Sequence, residues 1–170
     1  MEAEVAEIGT IVRNEGLYKS YDASRRSYVP DEQLVARKIR GLLSERDLVV
    51  ATHFIGKMFQ PSWVKLAIVL RLDPIVLYRR LMEKGRTKRS AWENAESELV
   101  DVCLIEAVRS LGKRKVFEID TSSKSQSQIV SEALKLVAGK HRSAIPSVNW
   151  LNHYDPISLW RKLGRRSSTS

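Results

Sequence analysis

A run of positive side chains between residues 79 and 89 is the part of the sequence best suited to chemistry. Phosphoryl transfer needs cations that converge on oxygens carrying developing charge, in a place from which water is excluded. A mobile loop rich in lysine and arginine between two helices can meet both needs. Charged loops are usually only solvated surface, so the run alone leaves both interpretations open. Its members are Arg79, Arg80, Lys84, Arg86, Lys88 and Arg89.

The elements around this run predict a strand, a helix, a short basic loop and a second helix. Val64–Leu70 is an apolar run of the kind found in buried parallel strands. Asp73-Pro74 then supplies a helix N-cap and a proline at the first helical position, and Gly85 is expected to end that helix. The second helix is predicted over about Ser90–Leu111.

Short apolar runs alternate with helical periodicity elsewhere, which predicts an α/β fold on a parallel sheet with right-handed crossovers. Residues Gly16–Pro30 contain turn residues without a clear period, so they are interpreted as a loop or mobile flap. The further strands are predicted at Glu4–Ile8, Leu48–Ala51 and Val116–Ile119, and the further helices at about Gly9–Glu15, Asp31–Leu43 and Ser127–Ala138.

Polar residues follow three of the predicted strands. Because open parallel sheets bind ligands at the carboxyl ends of their strands, these positions are candidate sites. His53 follows the first strand end, Arg71-Leu72-Asp73 forms the second, and Asp120–Ser123 forms the third. A histidine there can hydrogen-bond a substrate or position a water, although a loop histidine held by backbone fits the pattern equally well.

Composition limits the class of protein. A chain of 170 residues with 43% hydrophobic residues is long enough for one domain with a substantial core. The acidic N-terminus is not a signal peptide, and no apolar run is long enough to span a membrane. A lone cysteine, Cys103, is expected to be a small buried hydrophobe in a reducing, cytoplasmic setting. The net charge of +9 favours polyanionic partners such as nucleotides, RNA or an acidic protein.

Several of these segments together resemble the adenylate kinase isoenzyme 6 family, small nuclear and archaeal adenylate kinases tied to ribosome maturation. The block from Leu70 to Val102 carries most of the resemblance, through an LRxDP strand end, a helix motif that begins at Leu77-Tyr78, and a Glu/Asn cluster at Glu93–Glu98. Upstream, Arg13–Asp22 is similar to the family's monophosphate-binding segment, and His53 matches the histidine of its Asp-x-His motif.

The resemblance implies a P-loop kinase-type parallel sheet with helices on both faces. It implies ATP and AMP as substrates, Mg²⁺ as cofactor, and a slower ATPase activity. A platform protein of the small ribosomal subunit and rRNA are the implied partners. Residues 1–138 would form the kinase-like domain, with a monophosphate-binding region at 13–43 and a lid at 84–93. Residues 139–170 would form a basic tail containing tryptophan.

The resemblance also assigns roles to individual residues. Arg80 is similar to the arginine near the donor adenine, Lys84 to a phosphate-contacting arginine, and Arg13 to the arginine that faces the monophosphate. The expected catalytic residues are therefore His53, Arg80 and Lys84, and no residue is expected to bind metal directly. The expected nucleotide-binding residues are Arg13, Arg80, Lys84, Arg86, Lys88, Thr121, Ser122 and Lys124.

The sequence departs from the family pattern in three ways. No G-x-x-x-x-G-K-[ST] motif occurs, so the first strand and the P-loop helix are predicted to be missing. Ala51 stands where a carboxylate would help to hold magnesium, and Lys84 lacks the bidentate fork of arginine. Either the sequence starts at an internal methionine and is inactive as given, or the protein is a degenerate relative that assists ribosome assembly without catalysis. An RNA-binding protein unrelated to kinases is a weaker third interpretation.

The C-terminal tail differs in composition from the rest of the chain. Trp150, Leu151 and Tyr154 are candidates for docking on the domain. Leu159 and Trp160, with the basic residues beside them, are typical of a short amphipathic helix. Two interpretations of the tail remain open. It is either partly docked with a frayed end, or a basic arm that binds RNA.

Overall fold

The computed structural model describes residues 4–23, 25–44, 47–53, 55, 58–139 and 148–163. The chain forms two compact units, residues 1–65 and residues 66–170. The described residues contain six strands and seven α-helices, and two of their three sheets are parallel. The predicted α/β class is therefore confirmed. None of the described helices combines the length and the apolar character needed to cross a membrane.

The first unit joins a short parallel sheet to two helices. β1 and β4 pair in parallel from Glu4 opposite Leu48 to Glu7 opposite Ala51. Asp31 caps α2 by accepting the backbone N–H groups of Gln33 and Leu34 at 3.0 and 3.2 Å, as the sequence predicted. In chain order the elements are β1 (Glu4–Glu7), α1 (Ile8–Asn14), β2 (Tyr18–Asp22), β3 (Ser27–Pro30), α2 (Glu32–Leu43) and β4 (Leu48–Ala51).

The core of the first unit lies between its helices. α1 and α2 each bury an apolar face, because their apolar residues recur at helical spacing. The buried side chains of this core are Ile8, Val12, Val35, Ile39 and Met58. The unit is therefore held together mainly by apolar contacts.

The segment interpreted as a loop or flap is an antiparallel hairpin formed by β2 and β3. The structure shows paired strands where a loop was expected. The pattern failed to predict them because both strands are largely exposed, so no alternation of apolar and polar residues marks a buried face. The hairpin is anchored at its base, where the N–H of Asp31 donates to the carbonyl of Leu17 at 3.0 Å.

The second unit is built on another parallel pair, β5 and β6. Ala67 lies opposite Val116, and Arg71 lies opposite Asp120. In chain order the elements are β5 (Ala67–Arg71), α3 (Pro74–Glu83), α4 (Lys88–Leu99), α5 (Val102–Leu111), β6 (Val116–Asp120), α6 (Gln126–Val137) and α7 (Pro156–Leu163).

The start and end of α3 agree with the prediction. Asp73 caps the helix by accepting the N–H groups of Ile75 and Val76 at 2.8 and 3.1 Å, and Pro74 is the first helical residue. The chain turns at Gly85, whose φ of +74° is a conformation that glycine adopts without steric cost.

The single helix predicted over Ser90–Leu111 is instead two helices, α4 and α5. The break lies at Val100–Asp101, where Asp101 adopts a left-handed φ of 57°. The break resets the helical phase, so α5 buries Leu104, Ala107 and Leu111. Cys103 is exposed, and its predicted burial was wrong because that prediction counted one periodicity across both helices.

The described part of the tail, residues 148–163, packs within the second unit. Trp150 and Leu159 are buried against Leu99 of α4, which supports the predicted docking of Trp150. Leu151 and Trp160, by contrast, are exposed. The remaining tail residues, 140–147 and 164–170, lie outside the described part of the chain.

Candidate functional site

The carboxyl ends of β5 and β6 are tied together by hydrogen bonds. The N–H and the hydroxyl of Thr121 both donate to the carbonyl of Arg71, at 2.9 and 2.7 Å. The N–H of Asp73 donates to the Ser122 hydroxyl oxygen at 2.9 Å, and that hydroxyl donates to Asp120 at 2.6 Å. These bonds fix the two strand ends relative to each other. Because the Thr121 hydroxyl serves this contact, its role in nucleotide binding stays a prediction.

A buried arginine organises the same end of the sheet. The Arg71 side chain is 1% exposed and forms ion pairs with three carboxylates. Its Nε lies 2.7 Å from Glu98 and its Nη1 lies 2.5 Å from Glu118, whose side chain is fully buried. Its Nη2 pairs with Asp101, the residue at the break between α4 and α5. The left-handed conformation of Asp101 thus places a carboxylate beside the arginine.

The charges around Arg71 balance the cost of burying it. Burial alone would lower the pKa of Arg71, but the hydrogen bond and charge of Glu98, with the help of Glu118 and Asp101, hold that pKa above its ordinary value. A buried ion pair of this kind is weak evidence of net stabilisation, yet removing one partner leaves an uncompensated buried charge. The buried charge of Arg71 therefore depends on the carboxylates around it.

The tail joins the network through two side chains. The Trp150 indole N–H donates to Glu98 Oε1 at 2.9 Å. The Tyr154 hydroxyl donates to Asp73, and this bond raises the pKa of Tyr154 to about 12. Sequence reasoning missed the whole network. A usable signal was Arg71 itself, a charge at the end of an apolar strand that needs carboxylate partners when it is buried.

The basic run lies where α3 turns into α4. Lys84 follows Arg80 by one helical turn, and its N–H donates to the Arg80 carbonyl at 3.1 Å. The side chains of Arg80, Lys84 and Arg86 are exposed, and none of them forms an ion pair with a described residue. They supply positive charge that is free to meet a polyanion.

The other predicted residues of the second unit are partly engaged. Lys88 is the first residue of α4 and is exposed. Lys124 forms an ion pair with Glu132 of α6 at 2.5 Å. Lys124 and Glu132 also line a shallow depression of about 340 Å³ on the surface of α6. A ligand that used Lys124 would therefore compete with an existing carboxylate.

The two remaining predicted residues, His53 and Arg13, lie in the first unit, apart along the chain from the basic run. His53 follows the end of β4 and is exposed. Arg13 lies in the last turn of α1, is also exposed, and donates from Nε to the Asn14 side chain at 3.4 Å. Their predicted contacts with nucleotide stay predictions.

The side chains present fit the two expected ligands unequally. The exposed cations Arg80, Lys84 and Arg86 suit the phosphate oxygens of a nucleotide. Magnesium prefers carboxylate and water ligands, but no group of three or more His, Cys, Asp or Glu residues suited to a metal occurs in the described ranges. The side chain of Ala51, at the end of β4, is a methyl group and has no oxygen that could act as a ligand. The described residues therefore fit the nucleotide but not a protein-held metal.

Comparison with known proteins identifies the family. A family described as an AAA domain matches residues 1–101. A protein of Methanococcus maripaludis named "Putative adenylate kinase" is 33% identical over 147 residues, which cover 86% of this chain and 78% of that protein. Proteins of the same name from Thermococcus onnurineus and Natronomonas pharaonis are 34% and 31% identical and are covered over 71% and 85% of their lengths. The chain belongs to the adenylate kinase-like nucleotide kinases.

Membership of this family agrees with the geometry of both units. The α/β fold with parallel sheets is of the P-loop kinase type, as predicted. The broad part of the resemblance is thereby confirmed. The AAA-domain match ends at residue 101, so it includes the turn between α3 and α4, where the exposed cations of this adenylate kinase-like chain lie.

Proposed function

We propose that this chain is part of an adenylate kinase, an enzyme that transfers a phosphoryl group from ATP to AMP with Mg²⁺. The observation that carries the proposal is the set of exposed cations at the turn from α3 to α4. Arg80, Lys84 and Arg86 have no carboxylate partners among the described residues, so phosphate oxygens can take that place. In this proposal the 84–93 segment closes over ATP, and Arg13 and His53 act on the side of AMP and the attacking oxygen.

We infer that a further strand and phosphate-binding loop precede Met1. Support comes from two exposed apolar residues in the parallel strands, Val49 of β4 at 53% and Leu70 of β5 at 55%. Strands of parallel sheets normally bury both faces, and a pair of strands alone is marginally stable. An added strand would pair with an edge of the sheet, the helix after it would cover such residues, and the loop between them would cradle the phosphates.

The DNA upstream of Met1 provides the first test. An in-frame G-x-x-x-x-G-K-[ST] within about 30 codons, in a strand–loop–helix context, is the expected finding. ADP formation from ATP and AMP is then measured for the 170-residue chain and for the extended chain. We expect phosphotransfer only from the extended chain. A stop codon with no such motif contradicts the upstream segment, and ordinary kinase turnover by the 170-residue chain contradicts the need for it.

A substitution in the extended chain tests the lid. Lys84→Ala should lower turnover about 100-fold with little change in AMP affinity, since Lys84 is assigned to the donor phosphates. Lys113→Ala, an exposed lysine before β6, is the matched control and should leave turnover unchanged. Equal turnover of Lys84→Ala and the unsubstituted protein would remove Lys84 from the mechanism.

A non-catalytic assembly protein is the second candidate, and two departures of the native sequence from the family pattern favour it. Ala51 stands where the family has a carboxylate, and Lys84 stands where it has the bidentate fork of an arginine. A missing N-terminal segment explains neither difference. In both candidates we place the protein in the cytoplasm, at maturation of the small ribosomal subunit. The net charge of +9 supports contact with rRNA or with an acidic surface of a platform protein. Co-purification of the extended chain with pre-ribosomal particles, without phosphotransfer, would favour this candidate.

A further inference from the structure

Three tyrosines form an exposed aromatic cluster on the β2–β3 hairpin. The rings of Tyr18 and Tyr28 have centroids 4.5 Å apart, and those of Tyr21 and Tyr28 are 5.0 Å apart. Tyr21 is 52% exposed, and the other two are each 38% exposed. The rings are tilted by 42° and 56°, so they do not cover each other face to face. Much of their π surface is therefore open to a ligand.

A bulge in the hairpin places the three rings on one face. Tyr18 lies opposite Pro30 and Ser20 lies opposite Val29, so Lys19 is the extra residue between them. Side chains alternate along a regular strand, and Tyr18 and Tyr21 would then point to opposite faces. The bulge shifts the alternation by one residue and turns Tyr18 towards Tyr21 and Tyr28.

Stability of the hairpin does not by itself require this arrangement. Tyr21 and Tyr28 are direct cross-strand partners, and such an aromatic pair already stabilises a hairpin. Bringing in the third ring interrupts the hydrogen-bond ladder. The bulge therefore has a cost that the Tyr21–Tyr28 pair does not explain.

Positive charge accompanies the aromatic cluster. Lys19 lies in the bulge itself, and Arg26 lies in the turn with a φ of 50°. Both are exposed, and neither forms an ion pair with a described residue, whereas Arg25 is paired with Asp22 at 3.1 Å. A hairpin that carries both exposed aromatic rings and exposed cations has the combination that binds single strands, because bases stack on the rings while cations meet the phosphates.

We propose that the β2–β3 hairpin is a stacking platform for single-stranded nucleic acid, with Tyr18, Tyr21 and Tyr28 under the bases and Lys19 and Arg26 at the phosphates. The platform takes bases of any sequence, since each base offers a π face. This function does not rest on phosphotransfer, so it is testable on the 170-residue chain.

The test is fluorescence anisotropy of a labelled, unstructured RNA 12-mer titrated with the protein at low salt. Tyr21→Ala should weaken binding about tenfold, in line with the loss of one stacked base, and Tyr21→Phe should keep it. Lys19→Gln with Arg26→Gln should weaken binding and flatten the dependence of log K on log salt by about 1.4, or 0.7 for each lost phosphate contact. If Tyr21→Ala also lowers the thermal midpoint of unfolding, its loss of binding could come from misfolding. The Lys19→Gln/Arg26→Gln variant then decides whether the hairpin binds RNA.

Lys113→Gln with Arg114→Gln is the matched control, because it removes two exposed charges from the second unit. It should leave affinity within about threefold of the parent. Equal losses in the two charge variants would overturn the proposal in favour of a diffuse effect of net charge. Full displacement of the 12-mer by AMP would overturn it in favour of a mononucleotide site. Absence of binding by the parent chain would also overturn it.

Discussion

Each unit contains a two-stranded parallel sheet, but buried charges hold the ends of β5 and β6, whereas β4 packs through Val50 against the apolar core of its unit. At the β5–β6 sheet, the side chains of Arg71 and Glu118 are almost completely buried and lie 2.5 Å apart. At the β1–β4 sheet, the paired residues Val5 and Val49 are 66% and 53% exposed. In the described part of the first unit, the ion pair between Lys65 and Asp47 lies at the surface, where the two side chains are 82% and 65% exposed.

The difference concerns how tightly each sheet defines its strand ends. Charged hydrogen bonds have narrow geometry, so the Arg71 network holds the ends of β5 and β6 in one arrangement. Apolar packing tolerates small shifts without leaving a charge unpaired. We therefore expect β5–β6 to act as a rigid support for the α3–α4 turn. The β1–β4 sheet should adjust more readily to whatever strand pairs with it.

Removing the central charge should produce the largest effect. Arg71→Met leaves Glu118 buried without a cation and should lower the free energy of unfolding by about 3–5 kcal/mol. Urea unfolding followed by tryptophan fluorescence measures it. Lys65→Met is the matched control in the first unit, and it should change stability by at most about 0.5 kcal/mol, since exposed ion pairs contribute little. Similar losses for the two variants would remove the distinction between the sheets.

The aspartate caps of α2 and α3, Asp31 and Asp73, give a second comparison, with an effect on stability of intermediate size. Asp31→Ala should cost about 1 kcal/mol, as is usual for a lost N-cap. Asp73→Ala should cost about 2–3 kcal/mol, because Tyr154 also loses its charged acceptor. In a Tyr154→Phe background the cost of Asp73→Ala should fall to about 1 kcal/mol. An unchanged cost in that background would show that Tyr154 adds nothing to the cap.

These two caps also show which features the sequence reveals. Asp31 and Asp73-Pro74 act through neighbours two or three residues away, so local spacing was enough to predict both helix starts. The break at Asp101 and the pairing of Arg71 depend on partners 27 to 47 residues away along the chain, and no local pattern marks them. The exposed hairpin lacked a buried face, and so its tyrosines were not recognised as a cluster.

The site residues divide in the same way. Arg80, Lys84 and Arg86 could be grouped from the sequence because Lys84 follows Arg80 by one helical turn and Arg86 comes directly after the turn at Gly85. Thr121 and Ser122 were expected near the strand ends, and they are there. Their hydroxyls, however, donate to Arg71 and Asp120. Their place after β6 could be predicted from sequence, but the hydrogen-bond partner of the Thr121 hydroxyl could not, because Arg71 is distant along the chain.

The smallest predicted effect is a dependence of stability on pH that comes from the Tyr154–Asp73 hydrogen bond in the second unit. The neutral Tyr154 hydroxyl donates to Asp73, and its pKa is raised to about 12 in the folded protein. Because the folded pKa exceeds the ordinary value of about 10, the stabilisation is complete below pH ~10 and is lost as the pH rises through ~12. Phenolate difference absorbance should therefore show a late step from Tyr154, and Tyr154→Phe should abolish that step. If the step survives in Tyr154→Phe, or if the parent has no step above pH ~11, the tail is not held at Asp73 as the structure shows.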